Sequence, residues 1–350
     1  MSAPSMLVPN TSTPSTLSPT ASDIVLTGDR PTGRLHLGHY AGSLQSRLSL
    51  QGLCAQTIVV ADLQALTDNS GRPAHVAAHV REVVSDYLAV GIDPAQTIIA
   101  LQSRLPALAE LTMLYLNLVT VARLERNPTV RAEIEMRGFA RDIPAGFLCY
   151  PVSQAADITA FRATVVPVGE DQLPMIELSN EIVRRVNRTT GTDVLPECRA
   201  MLSDTPRLPG IDGRKASKSL GNAISLSATT AEVRELVMAM YTDPSHARVS
   251  DPGQVDGNVV FAYLDAFDPA TDEVADLKQH YARGGLGDVV LKRRLIEVLH
   301  NMLEPIRERR LALAAQPGLI EETIVEGTRV ARLRTEDVLH DVREAFSLTA

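Results

Sequence analysis

The strongest constraint on the fold is an alternation of short apolar runs with helical patterns up to about residue 226. The runs are rich in β-branched residues and predict buried strands at 23–28, 56–62, 97–101 and 165–168. Between two of them, Pro73 predicts the start of a helix and Gly91 its end. Strands that alternate with helices indicate a parallel sheet, so we expect an α/β fold of the doubly wound, Rossmann type.

Helical patterns replace strand patterns beyond about residue 227, which indicates a second domain. The expected parts are a disordered tail rich in Ser, Thr and Pro at 1–22, a Rossmann domain at 23–226 and a helical C-terminal domain at 227–350. A helical stretch at about 105–160 is expected to interrupt the Rossmann domain as an insertion.

Composition narrows the class of protein. Cys54, Cys149 and Cys198 are odd in number and widely spaced, which predicts reduced thiols in a cytoplasmic protein. No apolar run approaches the roughly 20 residues that a membrane-spanning helix needs, and the N-terminus lacks the pattern of a secretory signal. The net charge of −8 counts mildly against nucleic-acid binding, although contacts to phosphates require only a local basic patch.

The first motif with chemical meaning is His-Leu-Gly-His at 36–39, which follows a glycine-containing turn at 28–33. A helix start at this point directs backbone N–H groups and the positive end of the helix dipole at a phosphate. His36 and His39 share one face and can both reach that phosphate, and Gly38 allows a flat base to approach. The alternative is a metal site, but no third ligand with supporting spacing lies nearby.

A second motif, Lys-Ala-Ser-Lys-Ser at 215–219, lies in a loop flanked by Gly and Pro. Lys215 and Lys218, with the small residue Ser217 between them, suit a mobile cationic clamp for a polyphosphate. Taken alone, the segment is better explained as a solvated surface loop. It is not a Walker P-loop, because the required glycines do not precede it.

Two further segments place polar groups where a small ligand can bind. At 150–157 (YPVSQAAD), Gln154 and Asp157 would share a helix face, and the alanines between them leave room for a flat ring. The Asp157 carboxylate can accept one N–H or O–H, although a helix cap is the simpler interpretation. Gly169 and Asp171 follow a predicted strand, where doubly wound sheets bind ligands. An ordinary strand-to-helix turn is the alternative there.

In their order and separation, these motifs resemble the signatures of the class I aminoacyl-tRNA synthetases. The segment at 36–39 is similar to their His-Ile-Gly-His motif, and the segment at 215–219 to their Lys-Met-Ser-Lys-Ser loop. Within the class, the chain most resembles the tryptophanyl-tRNA synthetases of bacterial type. The segments that carry this closer resemblance are 28–33, 88–94, 102–103, 124–126, 150–157 and 167–172. The resemblance extends from about Ile24 to the C-terminus.

The resemblance implies a two-step reaction. The carboxylate of L-tryptophan attacks the α-phosphate of ATP, giving tryptophanyl-adenylate and pyrophosphate, and the terminal ribose of tRNA(Trp) then takes the aminoacyl group. Mg²⁺ accompanies the ATP, and no metal site of the protein itself is implied. The resemblance also implies a homodimer with the insertion at its interface, a C-terminal domain that meets the anticodon, and no membrane association.

The resemblance further implies roles for individual residues. The expected catalytic residues are His36, His39, Lys215 and Lys218. The expected ATP contacts are Arg30, Thr32, His36, Gly38, His39, Gly169, Asp171, Lys215, Ser217 and Lys218. The expected tryptophan contacts are Tyr150, Gln154, Asp157, Gln172 and Gln64. Among these, Asp157 would accept the indole N–H, and Tyr150 and Gln172 would hold the amino group.

Several positions depart from the family pattern and suggest a divergent copy. Gln154 stands where the bacterial enzymes have Met, and Gln64 where His is common. Leu26 replaces a common aromatic residue and Ala216 the Met of the mobile loop. Glu133 stands where the family has a Lys. Two nearby arginines are candidates to replace that Lys, namely Arg131 and Arg137.

Three other functions remain open from the sequence. A tyrosyl-tRNA synthetase would use Asp157 to accept a phenolic O–H. A synthetase-like binding or regulatory protein would have lost aminoacylation, and a nucleotidyltransferase of the same superfamily would use no tRNA. For a synthetase, two groups of arginines are expected to contact tRNA. They are Arg123, Arg126 and Arg131 near the acceptor end, and Arg307, Arg309 and Arg310 in the helical domain.

Overall fold

The computed structural model describes residues 18–69, 71–139, 142–202, 208–216 and 220–348. Across these residues, five strands form one sheet in the order β3-β2-β1-β4-β5, and every neighbouring pair is parallel. The strands are β1 (Ile24–Asp29), β2 (Ala55–Val60), β3 (Thr97–Leu101), β4 (Val165–Val168) and β5 (Arg199–Leu202). The predicted Rossmann-type sheet is confirmed.

Helices connect the strands and continue beyond them. Those of the sheet-containing part are α1 (Leu37–His39), α2 (Gln45–Leu50), α3 (Asp62–Asn69), α4 (Pro73–Val90), α5 (Pro106–Leu116), α6 (Val121–Glu125), α7 (Pro128–Arg137), α8 (Ala145–Thr159) and α9 (Leu173–Thr190). Those that follow are α10 (Thr230–Met238), α11 (Val259–Phe267), α12 (Thr271–Arg283), α13 (Asp288–Ala314) and α14 (Pro317–Ala345). A π-helical turn, Tyr40–Leu44, joins α1 to α2.

Local chemistry explains why α4 has the predicted bounds. Pro73 occupies the first helical position, where no intrahelical N–H is needed. Gly91 ends the helix with a positive φ of 111°, a left-handed conformation that glycine adopts without a Cβ clash. Along the helix, buried valines face the sheet, which is the amphipathic pattern that the sequence showed.

Other predictions about elements need correction. The helical stretch expected at about 105–160 begins as two separate helices, α5 and α6, because Thr120 accepts the Arg123 N–H and caps a new helix start. Neither α3 nor β5 was predicted. The strand β5 is half-buried at every position and shows no alternation that could reveal it.

The expected N-terminal tail is also shorter than residues 1–22. The Thr20 N–H donates to Asp23 Oδ2 over 2.8 Å, and the Asp23 N–H donates to the Thr20 carbonyl over 3.0 Å. Asp23 in turn pairs with Arg199 of β5 at 2.8 Å. Residues 18–22 therefore form an ordered turn beside the sheet, and residues 1–17 lie outside the described part of the chain.

Two apolar cores lie on opposite faces of the sheet, as a doubly wound fold requires. One core contains side chains of α4, α10, α11 and α13 packed on Ile58 and Val60. The other contains side chains of α5, α8, α9 and α14 packed on Val59 and Ala100. The helices that follow residue 227 therefore share their apolar cores with the sheet domain.

The last helix returns to the sheet and covers its outer strand. The Leu101 N–H at the end of β3 donates to Thr328 Oγ1 of α14 over 3.0 Å. At Gly327 the helix backbone lies so close that an added Cβ would overlap the backbone of Ile99. The expected domain at 227–350 is thus divided in space, because α14 packs on the edge strand β3 and shields it from pairing with another chain.

Substituting Gly327 tests this packing. We expect Gly327→Ala to push α14 away from β3 and to lower stability by about 1–3 kcal/mol, as for other overpacked sites. The matched control is Gly318→Ala in the first turn of the same helix, where a Cβ meets nothing closer than Glu322 at 3.8 Å. Urea denaturation should show a lower midpoint for Gly327→Ala alone, and equal midpoints for the two variants would contradict the close approach.

Candidate active site

A cavity of about 530 Å³ opens at the carboxyl ends of β1, β2 and β4, where ligands bind in doubly wound sheets. Its walls include residues from the ends of these strands and from the helices α7 and α8. Nine of the residues expected from the sequence line it together: Arg30, Thr32, His39, Gln64, Tyr150, Gln154, Asp157, Gly169 and Gln172. They come from parts of the chain far apart in sequence, so the fold assembles the site.

A buried ion pair fixes the floor of the cavity. The Arg47 Nη1 of α2 donates to Asp29 Oδ2 at the end of β1 over 2.6 Å, and the Tyr87 hydroxyl of α4 donates to the same oxygen over 2.6 Å. Burial alone would raise the pKa of Asp29, but the charge of Arg47 overcomes it and lowers that pKa to about 2. Asp29 is therefore ionised at neutral pH and already satisfied by protein groups.

The turn at 36–39 has the geometry of a capped helix start. The Gly38 N–H donates to His36 Nδ1 over 3.1 Å, and the His36 N–H donates to His39 Nδ1 over 3.2 Å. Each neutral ring then carries its proton on Nε2. The ring centroids are 3.8 Å apart. His39 lines the main cavity, whereas His36 lines an adjoining cavity of about 540 Å³.

Asp157 is held by two glutamine amides at the inner end of the cavity. Gln64 Nε2 donates to Asp157 Oδ2 over 2.8 Å, and Gln102 Nε2 lies 2.9 Å and 2.8 Å from its two carboxylate oxygens. The Gln64 N–H also donates to Gln102 Oε1 over 3.2 Å, which locks the two amides together. Asp157 lies three residues after Gln154 inside the continuous helix α8.

The role of Gln102 was missed from the sequence. The residue is buried, and it stands in a 3₁₀ turn directly after β3. Its position at the carboxyl end of a strand is the signal that could have identified it, because polar side chains there meet at the ligand site.

Burial dominates the ionisation of Asp157. It raises the pKa of this carboxyl to about 7, while the hydrogen bonds from Gln102 act in the opposite direction. The site therefore holds a carboxyl group that changes its charge close to neutral pH.

Tyr150 and Glu133 lie beside each other on the cavity wall. Burial raises the pKa of Tyr150 above its usual range, and the Glu133 carboxylate raises it further. The Tyr150 hydroxyl and Glu133 Oε2 are both buried, and among the described residues no third group is hydrogen-bonded to either atom. Such atoms are costly to leave without a partner, so a ligand group that bonds to both is favoured.

Some expected residues are not brought to this cavity. Gly38 and Lys215 do not line it, and Lys215 is exposed. Asp171 is also exposed, and its carbonyl accepts the Thr129 hydroxyl over 2.7 Å. Two further expected contacts, Ser217 and Lys218, lie outside the described residues.

The arginines expected to contact tRNA in the helical domain make bonds within the fold. Arg309 Nε donates to the Ala89 carbonyl over 2.5 Å, and Arg310 pairs with Asp86. Arg307 donates to the Ala228 carbonyl over 3.2 Å. These bonds hold α13 against α4 and the start of α10. The other expected group behaves similarly in part, since Arg123 pairs with Glu181 at 2.7 Å and Arg131 with Glu135 at 3.2 Å.

No described helix has the length and apolarity to cross a membrane. In the part of the chain that the structure describes, no cluster of three or more His, Cys, Asp or Glu side chains could hold a metal ion.

Comparison with known proteins identifies relatives of the whole chain. The model of a family described as class I tRNA synthetases (W and Y) matches residues 19–304. A tryptophan–tRNA ligase of Clostridium longisporum is 54% identical over 333 residues, which cover 94% of this chain and 98% of that protein. A tryptophan–tRNA ligase of Streptococcus pyogenes serotype M3 is 51% identical and covers 93% of this chain and 98% of that protein.

Solved structures are similar over the same length. The tryptophanyl-tRNA synthetase of Campylobacter jejuni, in complex with ADP and tryptophan, superposes with a TM-score of 0.77 at 25% identity and covers 93% of this chain and 99% of that one. A tyrosyl-tRNA synthetase of Archaeoglobus fulgidus, in complex with L-tyrosine, shares the fold with a TM-score of 0.67 at 21% identity, covering 83% of this chain and 90% of that one.

The raised pKa of Asp157 predicts how stability depends on pH. A carboxyl whose pKa is higher in the folded than in the unfolded protein binds extra protons on folding, so its contribution to stability falls as pH rises through about 7. Between pH 5 and pH 8, we expect the wild-type protein to lose stability relative to Asp157→Asn. Urea denaturation at several pH values measures this difference, and a difference that does not change with pH would contradict the assigned pKa.

Proposed function

The chain belongs to the class I tRNA synthetases for tryptophan and tyrosine, and we propose that it acts as a tryptophan–tRNA ligase through the cavity at the carboxyl ends of the strands. Curated relatives of 54% and 51% identity, which span nearly the whole chain, are tryptophan–tRNA ligases. This similarity favours tryptophan over tyrosine, and it favours an active ligase over a binding protein or a nucleotidyltransferase.

The observation that carries the recognition of the ring is the clamped carboxylate of Asp157, and the curated relatives favour tryptophan over tyrosine as that ring's source. Gln64 and Gln102 orient it, and it lines the cavity together with the apolar side chains of Leu26 and Ile158. An indole ring fits between apolar walls and has a single N–H to donate. We assign that N–H to Asp157, because a buried acceptor discriminates strongly against a ring that lacks the donor.

The polar end of the amino acid is assigned to other polar residues of the cavity wall. Tyr150, Gln154 and Gln172 line this part of the wall and carry hydroxyl and amide groups. They can bond to the ammonium and carboxylate of tryptophan and thereby place the carboxylate near the α-phosphate of ATP. Placement of the two reactants provides a large share of the rate in such a step.

ATP is assigned to the side of the cavity that carries the turn at 28–39. Arg30, Thr32, His39 and Gly169 line the cavity, and the side chains of Arg30, Thr32 and His39 can donate hydrogen bonds to phosphate. His36 and Gly38 lie in the same turn, next to His39, and complete the proposed set on this side. Asp171 is proposed to bond to the ribose.

The loop at 215–219 is assigned to the leaving pyrophosphate. Attack by the tryptophan carboxylate forms a bond to the α-phosphorus and breaks the bond to the bridging oxygen, so negative charge develops on the pyrophosphate. Lys215, Ser217 and Lys218 would stabilise that charge. Mg²⁺ is proposed to arrive with the ATP and to be held mainly by its phosphates, because among the described residues no acidic cluster could hold it alone.

The tRNA substrate and the homodimer are assigned to other surfaces of the chain. We assign tRNA(Trp) to the helical part that contains α10 to α13. The exposed apolar side chains Met113 and Val121, within the stretch at 105–160, suit the interface of a homodimer. A cytoplasmic location follows from the use of tRNA.

Exchange of pyrophosphate into ATP tests the choice of amino acid. We expect exchange with tryptophan and none above background with tyrosine. Asp157→Ala should lower kcat/KM for tryptophan roughly 10- to 100-fold, because a hydrogen bond to a charged group is lost. Glu177→Gln, an exposed carboxylate of α9, is the control and should leave exchange unchanged. Exchange with tyrosine but not with tryptophan would overturn the assignment.

The loop lysines are tested in the same assay. Because they would act on charge that develops during the reaction, Lys218→Ala should lower kcat for adenylate formation about 10²- to 10³-fold with little change in the KM for tryptophan. Lys215→Ala should have an effect in the same direction. Lys278→Ala, which removes a cation paired with Asp265 on the helical part, serves as the control. Unchanged turnover in Lys218→Ala would remove the loop from the mechanism.

A further inference from the structure

We propose that Glu133 binds the α-ammonium group of the amino acid substrate, a role that rests on the proposed function. Glu133 lies on α7 and lines the cavity beside Tyr150. At this position the resemblance to the bacterial tryptophan enzymes led us to expect a Lys, so the charge at this point of the cavity is reversed.

The carboxylates of the cavity differ in what they already bind. Three line it among the described residues: Asp29, Glu133 and Asp157. Asp29 is paired with Arg47 and Tyr87, and Asp157 is bonded to two glutamine amides. Glu133 has a buried Oε2 with no hydrogen-bond partner. This oxygen therefore has acceptor capacity left for a cation.

The neighbours of Glu133 indicate which cation this is. The buried Tyr150 hydroxyl interacts with the Glu133 carboxylate, and both residues line the cavity. An ammonium group has three N–H donors, so one ligand nitrogen can bond to both oxygens. A phosphate would instead be repelled by the carboxylate. The pair therefore fits the ammonium of a zwitterionic amino acid.

Packing fixes Glu133 relative to the other wall of the cavity. Asn127, which caps α7, donates to the Pro174 carbonyl over 3.1 Å, and the Thr129 hydroxyl donates to the Asp171 carbonyl over 2.7 Å. These bonds tie α7 to the turn that carries Gln172. One small buried cluster also joins α7, α8 and α9, through Val130, Phe147 and Met175. Glu133 thus belongs to a rigid frame with Tyr150 and Gln172.

Three indole ligands separate this role from a structural one. L-tryptophan carries both charged groups, tryptamine carries only the ammonium and indole-3-propionate carries only the carboxylate. Glu133→Gln removes the negative charge at nearly constant size. We expect it to weaken the binding of tryptophan and tryptamine roughly 10- to 100-fold, because a charge-assisted hydrogen bond is lost, and not to weaken the binding of indole-3-propionate. Isothermal titration calorimetry measures all three affinities.

The control is Glu135→Gln on the same helix, where the carboxylate is exposed and paired with Arg131. It should bind all three ligands as the wild-type protein does. Equal weakening of all three ligands by Glu133→Gln, or no weakening of any, would overturn the role of Glu133 while leaving tryptophan binding by the wild-type protein intact. Failure of the wild-type protein to bind tryptophan would instead overturn the proposed function and this inference with it.

Discussion

The buried pair of Asp29 and Arg47 is the interaction on which the arrangement of the site depends. It joins the end of β1 to α2, and Tyr87 adds α4 to the same oxygen. The turn at 36–39 lies between β1 and α2 in sequence. This one contact therefore fixes the two elements that flank the turn. Breaking a buried pair leaves an unpaired charge and is strongly destabilising, so the geometry of the turn and the folding of this region are coupled.

A second set of contacts connects the same turn to the helical part of the chain. The Leu35 N–H, directly before His36, donates to Asp86 Oδ2 over 2.7 Å, and Arg310 of α13 pairs with the other oxygen of Asp86. Burial raises the pKa of Asp86 to about 6, although Arg310 acts against this rise. A change in the position of α13 would therefore alter a hydrogen bond next to the turn at 36–39, which provides a physical connection between the two parts of the protein.

The sequence could predict those elements of the fold whose bounds depend on residues adjacent in the chain. The bounds of α4 depend on Pro73 and Gly91, which act on their own backbone, and these bounds were predicted correctly. The strand β5 and the return of α14 to β3 depend on neighbours distant in sequence. Gly327 shows this well, because inside a helical pattern it resembles a weak point, whereas in the fold it is the position of closest approach.

The residues of the site likewise divide into those that the sequence could predict and those that it could not. Motifs that carry their chemistry in adjacent residues, such as the turn at 36–39, were recognisable, and nine expected residues meet in one cavity. Gln102 was missed because its function depends on a contact with Asp157, 55 residues away. The bonds that the arginines of α13 make within the fold could not be predicted, because charge patterns on a helix do not show which charges the fold itself uses.

The most direct test of the account is whether this cavity binds an indole ring. The protein contains no Trp residue, so excitation beyond the absorption of tyrosine reports the ligand alone. Transfer of tryptophan from water into an apolar cavity, with its N–H bonded to Asp157, should shift its emission in a saturable manner at one ligand per chain. An unchanged emission spectrum at saturating protein, together with no retention of tryptophan in equilibrium dialysis, would contradict the account.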